Sequence, residues 1–217
     1  MKKKTLTIAI ALVLVVALAV GATWAYLTAQ SGPVTNTFTV GNILDKDAEF
    51  KLYEHVANKQ DDGTYTLGSE IAPDGNAYTV MPGVNLPKDP TVEVTKNDDG
   101  ENAYYLFVKV TEGAGFKSNI LGYQVASEWL QLKDADGKNV EGVYVYAGKG
   151  NNSAALLKGN FTATKILAPV DDADNTITVK DVTPFELGAE DCALTFQAYA
   201  CQAAGLTAYA AYQAASK

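Results

Sequence analysis

The feature that most constrains the fold of this chain is a series of short runs in which apolar and polar residues alternate. These runs are rich in Val, Thr, Tyr and Phe, and clusters of Asp, Asn and Gly separate them, as at 61–63, 98–100 and 134–137. Alternation with a period of two is typical of half-buried strands, and Asp or Asn followed by Gly supplies the positive φ angles of hairpin turns. The sequence therefore predicts an all-β fold, an antiparallel β-sandwich or jelly roll.

Strand patterns recur along the whole chain, whereas helix patterns are scarce. The segments that we predict as strands are 36–40, 50–55, 78–80, 91–95, 103–111, 129–133, 140–147, 161–167, 176–179 and 192–201. A single helical turn is predicted at 156–158. An Ala-rich stretch at 208–215 follows Thr207, which is a suitable N-cap, so the sequence also predicts a short C-terminal helix.

The first 25 residues have the pattern of an export signal. Lys2, Lys3 and Lys4 precede an uncharged, almost wholly apolar stretch at 6–20, and small residues follow it at 21–25. The apolar stretch has the length of a signal h-region and is short for a membrane span. We therefore predict a signal peptide at 1–25, cleaved after Ala25 or as late as Ala29, with an uncleaved anchor as the alternative.

Cleavage would leave a secreted chain with no membrane segment. It removes three lysines and no acidic residue, so the net charge changes from −8 to −11. We expect a donor-strand candidate at 26–41 and one jelly-roll domain at 42–217, because this length suffices for one hydrophobic core.

Composition excludes several classes of function. All 17 basic residues are Lys, and a chain with no Arg and a net charge of −8 is poorly suited to nucleic acid. His55 is the only histidine, which excludes sites built on two or three imidazoles, including the usual catalytic zinc. No nucleophile elbow, zinc-protease helix or phosphate loop occurs. We therefore predict no enzymatic activity, no catalytic residue, no metal ligand and no cofactor.

Two further features have ordinary structural interpretations. The acidic loops at 134–139 and 171–175 space their carboxylates as calcium loops do, but they lack the terminal Glu, so we interpret them as solvated turns. Cys192 and Cys201 lie at the two ends of one predicted strand, about 30 Å apart if it is straight. An internal disulfide requires Cα atoms within about 7 Å, so we predict two free thiols.

Several segments resemble a known family. GATWAYLT at 21–28 and NTFTVGNI at 36–43 resemble Gram-positive export signals processed by the SipW-type signal peptidase. MPGVNLPKDPTVEVTKN at 81–97, AYYLFVKV at 103–110 and AYACQAAGL at 198–206 resemble the TasA/camelysin group of surface and biofilm-matrix proteins. The resemblance places the signal cleavage region at Thr23, Trp24, Ala25 and Tyr26, and it names the SipW-type peptidase as a partner during export.

The resemblance implies a jelly-roll subunit that polymerises at the cell surface or in the biofilm matrix. In matrix fibres of this group, the segment after the signal peptide completes the sheet of the next subunit. Val34, Asn36, Phe38 and Val40 would share one face of such a donor strand. The partners would then be further copies of the chain or matrix components. A strand that completes its own sandwich is the alternative.

Two other functions stay open at this point. Camelysin is described as a surface metallopeptidase, but Glu54-His55 offers at most one nitrogen ligand, which weighs against that activity. A monomeric adhesin or ligand-binding β-sandwich is the other alternative, with some of the twelve tyrosines as its contact surface.

Overall fold

The computed structural model of the protein describes residues 28–30, 36–39, 49–97, 102–113, 116, 121–181 and 192–217. These residues form mostly short strands and one helix. In chain order the elements are β1 (Thr28–Gln30), β2 (Asn36–Thr39), β3 (Glu49–Tyr53), β4 (His55–Lys59), β5 (Tyr65–Ile71), β6 (Thr91–Thr95), β7 (Tyr104–Glu112), β8 (Leu121–Tyr123), β9 (Trp129–Lys133), β10 (Asn139–Tyr146), β11 (Phe161–Lys165), β12 (Ile177–Val179), β13 (Leu194–Gln202) and α1 (Ala208–Ala215).

The strands assemble into two larger and two smaller sheets. The five-stranded sheet has the order β1-β13-β7-β10-β9, and the four-stranded sheet has the order β11-β6-β3-β2. β4 pairs with β5, β8 pairs with β12, and the strand pairs are antiparallel throughout. The predicted all-β antiparallel architecture with a short C-terminal helix is confirmed. The finer assignment to a jelly roll stays a prediction.

The two larger sheets face each other across one hydrophobic core. Phe50 and Leu52 of β3 and Val92 and Val94 of β6 are buried there, and β7 contributes Leu106 from the opposite sheet. Their alternation with more exposed neighbours is the period-two pattern seen in the sequence. Burial of these apolar side chains is the main force that holds the sheets together.

The outer face of the five-stranded sheet is covered by α1. Ala211 and Tyr212 of the helix pack against Phe107 of β7 and Tyr199 of β13 in a second cluster. The hydroxyl of Thr207 accepts a hydrogen bond of 3.2 Å from the backbone N–H of Ala210, as an N-cap does. The predicted helix and its cap are therefore both confirmed.

The strands predicted at 129–133 and 140–147 form β9 and β10, and the predicted turn at 134–137 joins them as a hairpin. The two strands pair in antiparallel fashion. In the turn, the Asp134 carboxylate accepts hydrogen bonds from the N–H groups of Asp136 and Lys138, and Gly137 has a φ of 80°. This acidic loop thus stabilises its own turn. Neither cysteine forms a disulfide, and Cys201 is buried while Cys192 is half-buried.

Three details of the predicted elements are wrong. Residues 78–80 form no strand, because Tyr78 packs against Tyr65 and donates its hydroxyl to the Pro87 carbonyl. Residues 156–158 form no helical turn, because Leu157 makes an isolated bridge to Tyr104. The run 50–55 divides into β3 and β4 at Glu54, whose side chain is buried. The sequence patterns also missed β5, β8 and residues 56–59 of β4.

Candidate functional site

The N-terminal segment lies at the edges of both larger sheets. β1 is the first strand of the five-stranded sheet and pairs with β13, while β2 is the last strand of the four-stranded sheet and pairs with β3. Only five residues, 31–35, separate the two strands. A single segment that precedes all the other strands in the chain thus supplies one edge of each sheet.

Beneath β1, the sheet presents a strand that is buried almost throughout. β1 pairs Thr28 with Cys201, Ala29 with Ala200 and Gln30 with Tyr199. Those three residues of β13 are at most 3% exposed. β13 pairs with β7 on its other side over nine residues, so β13 stays within the sheet whether or not β1 is present.

Beneath β2, the second sheet presents a strand with one fully apolar face. The register pairs Asn36 with Leu52, Thr37 with Lys51 and Phe38 with Phe50. Phe50 and Leu52 are buried in the core, whereas Lys51 is half-buried. Asn36 and Phe38 therefore hold the register positions opposite the core-facing residues of β3.

Of the residues that the sequence singled out, Asn36 and Phe38 lie in β2. The others fall outside the described residues, and they are Thr23, Trp24, Ala25, Tyr26, Val34 and Val40. Within the single chain, β2 completes the sheet of its own subunit. This is the arrangement expected of a strand that pairs with its own sandwich. A donor strand from another copy would have to replace it in the same groove.

A buried polar cluster lies where β4 begins. Lys88 donates to both carboxylate oxygens of Glu54 at 2.9 and 2.8 Å, and the side-chain amide of Asn76 donates to the same carboxylate at 3.3 Å. The Lys88 ammonium also lies 5.7 Å from the centre of the Phe196 ring. A buried ion pair with this many partners satisfies charges that would otherwise be costly to desolvate.

His55 is held by the next acidic residue. The Asp89 carboxylate accepts a hydrogen bond from the His55 backbone N–H at 2.9 Å, and its other oxygen lies 2.7 Å from the imidazole Nδ1. Two neighbouring contacts thus join these segments: Glu54 binds Lys88, and His55 binds Asp89. Sequence reasoning did not identify Lys88 and Asp89 as buried, although two charges between Pro87 and Pro90 are an available signal.

The cluster offers no metal-binding geometry. Glu54 is engaged by Lys88, and Asp89 is engaged by His55. Across the part of the chain that the structure describes, no group of three or more His, Cys, Asp or Glu side chains could hold a metal ion. These contacts hold the segment 88–89, which precedes β6, against the start of β4.

A pocket of about 440 Å³ opens beside the same ion pair. Glu54 and Lys88 line one side of it, and Tyr78, Leu86 and Leu194 supply apolar walls. Burial raises the pKa of Tyr78 above its usual range, and the carboxylates of Glu54 and Asp89 act in the same direction. The Tyr78 hydroxyl therefore stays protonated and serves as a hydrogen-bond donor to Pro87.

Comparison with protein-family models, curated protein sequences and solved structures finds no match. Within the described ranges, no helix is long and apolar enough to cross a membrane.

Proposed function

We propose that this chain is a secreted structural subunit of the cell surface or biofilm matrix, and that it assembles into fibres by exchanging its N-terminal strands between copies. The observation that carries the proposal is the position of β1 and β2, which occupy one edge of each larger sheet and precede all the other strands in the chain. An edge segment that precedes the other strands is the simplest element to exchange, because no other strand must be unthreaded.

Exchange of this segment between copies would leave its strand contacts unchanged. A second copy would make the same main-chain hydrogen bonds to β13 and β3 that the chain makes to itself. The contacts are identical, so exchange is decided by the geometry of the connection at 40–48 and by protein concentration. A head-to-tail contact of this kind does not close and therefore propagates into a fibre.

The export signal supplies a control on assembly. As long as residues 1–25 are attached, the strand segment that follows them is held near the membrane. Cleavage by the SipW-type peptidase would release it for pairing with another copy. The acidic net charge, which becomes more negative on cleavage, keeps unassembled subunits soluble.

A cross-link tests exchange directly. Thr28 is the register partner of Cys201, and directly paired residues of neighbouring strands are close enough for a disulfide. Because the buried Cys201 thiol reacts slowly in the folded protein, a Thr28→Cys variant that also carries Cys192→Ser is refolded from urea under oxidising conditions at high protein concentration. It is then run on a non-reducing gel. Exchange predicts a ladder of covalently linked chains, together with filaments in electron micrographs. Cross-links confined to single chains, with monomers on size exclusion, would contradict the proposal.

A substitution pair tests the role of β2. Phe38→Asp places a charge opposite the buried Phe50, whereas Thr37→Asp places the same charge opposite the half-buried Lys51. We expect Phe38→Asp to abolish filaments and Thr37→Asp to retain them. If a variant that lacks 26–41 is poorly folded, a synthetic peptide of 28–41 should restore its folding by filling the vacant edges. Equal filament formation by both Asp variants would exclude β2 from the assembly contact.

A further inference from the structure

A second surface feature lies at the opposite edge of the five-stranded sheet from β1. A cleft of about 640 Å³ is lined by β7, β9 and β10, with Tyr123 of β8 at its side. The Tyr123 hydroxyl donates a 2.7 Å hydrogen bond to the Glu112 carboxylate at its rim. A smaller opening shares Glu112, Tyr123 and Tyr144 with it, so the two tyrosines lie between adjoining openings.

A bulge in β10 shapes this cleft. Asn139 pairs with Lys133, but Tyr144 pairs with Gln131, so β10 has three more residues than β9 over the same length. At the bulge, Gly142 has a φ of 67°, and a Cβ atom there would lie 2.4 Å from the carbonyl oxygen of Val110. Bulges redirect side chains, and they are enriched beside binding sites. Only glycine fits this position, so the cleft depends on it.

The bulge leaves hydrogen-bonding groups turned toward the cleft without partners. The side-chain amide of Gln131 donates a 2.9 Å hydrogen bond to the Val140 carbonyl. This bond lies where the bulge interrupts the backbone pairing of β9 with β10. Among the described residues, the side chains of Asn139 and Glu141 make no hydrogen bond, and both residues are exposed. The cleft therefore combines two side-chain amides, two carboxylates and two tyrosine rings in a region of partial burial.

The chemistry of the cleft restricts its ligand. Glu112 and Glu141 outnumber Lys109, and there is no Arg, so phosphate and other anions are disfavoured. The lining is too polar for an apolar molecule, and the described residues hold no metal-binding cluster. Tyrosine rings pack against the C–H faces of sugar rings, and amide and carboxylate oxygens accept hydrogen bonds from hydroxyl or amino groups. We propose that this cleft binds a neutral or amino-bearing hexopyranose glycan.

Glycan binding is separate from strand exchange. β9 and β10 lie at the far end of the sheet from β1, with β13 and β7 between them. A fibre assembled through β1 and β2 would leave the cleft open on every subunit. Many weak sites on one fibre would then bind a polysaccharide with high avidity. Failure of strand exchange would leave binding by the single chain unaffected, so the two proposals can fail independently.

Calorimetric titration of the full chain, isolated after expression, tests the proposal. The probes are β-linked hexasaccharides of glucose, N-acetylglucosamine and glucosamine, with the galacturonic acid hexamer as the anionic comparison. The test variant carries Asn139→Ala and Glu141→Ala. Its matched control carries Asn58→Ala and Glu70→Ala, an exposed Asn and Glu on the hairpin of β4 and β5.

We expect at least one neutral or amino-bearing hexamer to bind. The test variant should bind that hexamer at least about tenfold more weakly than the unmodified chain does. The control variant should bind as the unmodified chain does, and both variants should unfold at the same urea concentration as that chain. A third variant, Tyr144→Phe, removes one hydroxyl without emptying the core and should weaken binding by a smaller factor. The proposal is overturned if none of these hexamers binds, if the galacturonate hexamer binds best, or if the test and control variants bind equally.

Discussion

The ammonium of Lys88 lies 2.9 and 2.8 Å from the two carboxylate oxygens of Glu54, although 34 residues separate them in the chain. Their side chains are 10% and 5% exposed. The pair joins the residue before β4 to the segment that leads into β6. Because both charges are largely removed from water, each is tolerated only in the presence of the other.

Removing one member of this pair should be more damaging than removing both. Lys88→Met leaves the Glu54 carboxylate buried without its cation, and we expect a loss of about 3–5 kcal/mol in the free energy of unfolding. The double variant Glu54→Leu with Lys88→Met should be more stable than Lys88→Met alone. Urea unfolding of the single and double variants measures this coupling. Strictly additive losses would show that the two charges do not stabilise each other.

A second prediction concerns acid stability at the start of β3. Hydrogen bonds from Lys51, at 2.6 Å, and from Lys96 lower the pKa of Glu49 from its ordinary value of 4.5 to about 2. A lowered pKa in the folded state means that the carboxylate stabilises the fold above its ordinary pKa. That contribution is lost as the pH falls from about 4.5 towards 2.

Urea unfolding at several pH values checks this. Glu49→Gln should destabilise the protein at pH 6, and the difference from the unmodified chain should disappear near pH 2. Glu70→Gln is the control, because Glu70 is exposed and its side chain makes no hydrogen bond to any described residue. If Glu49→Gln changes the free energy of unfolding equally at pH 6 and pH 2, the lowered pKa of Glu49 is contradicted.

Glycine at the β10 bulge should be indispensable for a steric reason. Gly142→Ala combines a φ of 67° with a contact of 2.4 Å to the Val110 carbonyl, so we expect a loss of more than about 1 kcal/mol. Gly137→Ala has a φ of 80° but meets no atom within 4 Å, so it measures the backbone strain alone. The midpoint temperature of thermal unfolding should therefore be lower for Gly142→Ala than for Gly137→Ala. Equal losses would assign the whole effect to the positive φ.

The thiol of Cys201 should be unreactive in the folded protein. Burial raises its pKa from 9.0 to about 11, and only 1% of the residue is exposed. At pH 8 we expect alkylation by iodoacetamide to be about a hundredfold slower than for a free thiol. Mass spectrometry of the Cys192→Ser variant measures the rate. Rapid labelling without denaturant would show that β1 does not protect this edge of β13.

Local sequence patterns predicted much of the secondary structure. The bounds of β6 and β9 were predicted to the residue, since each is a short alternating run bounded by turn residues. The turn at Gly137 and the helix cap at Thr207 were also predicted, because both depend on residues only a few positions apart. The signal and the donor-strand face stay predictions.

Patterns failed where a distant partner decides the conformation. Tyrosine is common in strands, but Tyr78 lies outside any strand. Its hydroxyl donates a hydrogen bond to the Pro87 carbonyl, and its ring packs on Tyr65. The run 50–55 reads as a single strand, yet it breaks at Glu54, whose partner Lys88 is remote in sequence. No local pattern contains such a partner.

What this sequence determines by itself is therefore its class: alternating apolar runs with Asp-Gly turns commit the chain to antiparallel strands and a capped terminal helix. Only the tertiary structure decides which strands become neighbours. It places β13 between β1 and β7, aligns Phe38 with Phe50, and unites Glu54-His55 with Lys88-Asp89. The physical reason is that strand pairing and charge burial depend on groups far apart in the chain, whose proximity arises only when the core closes.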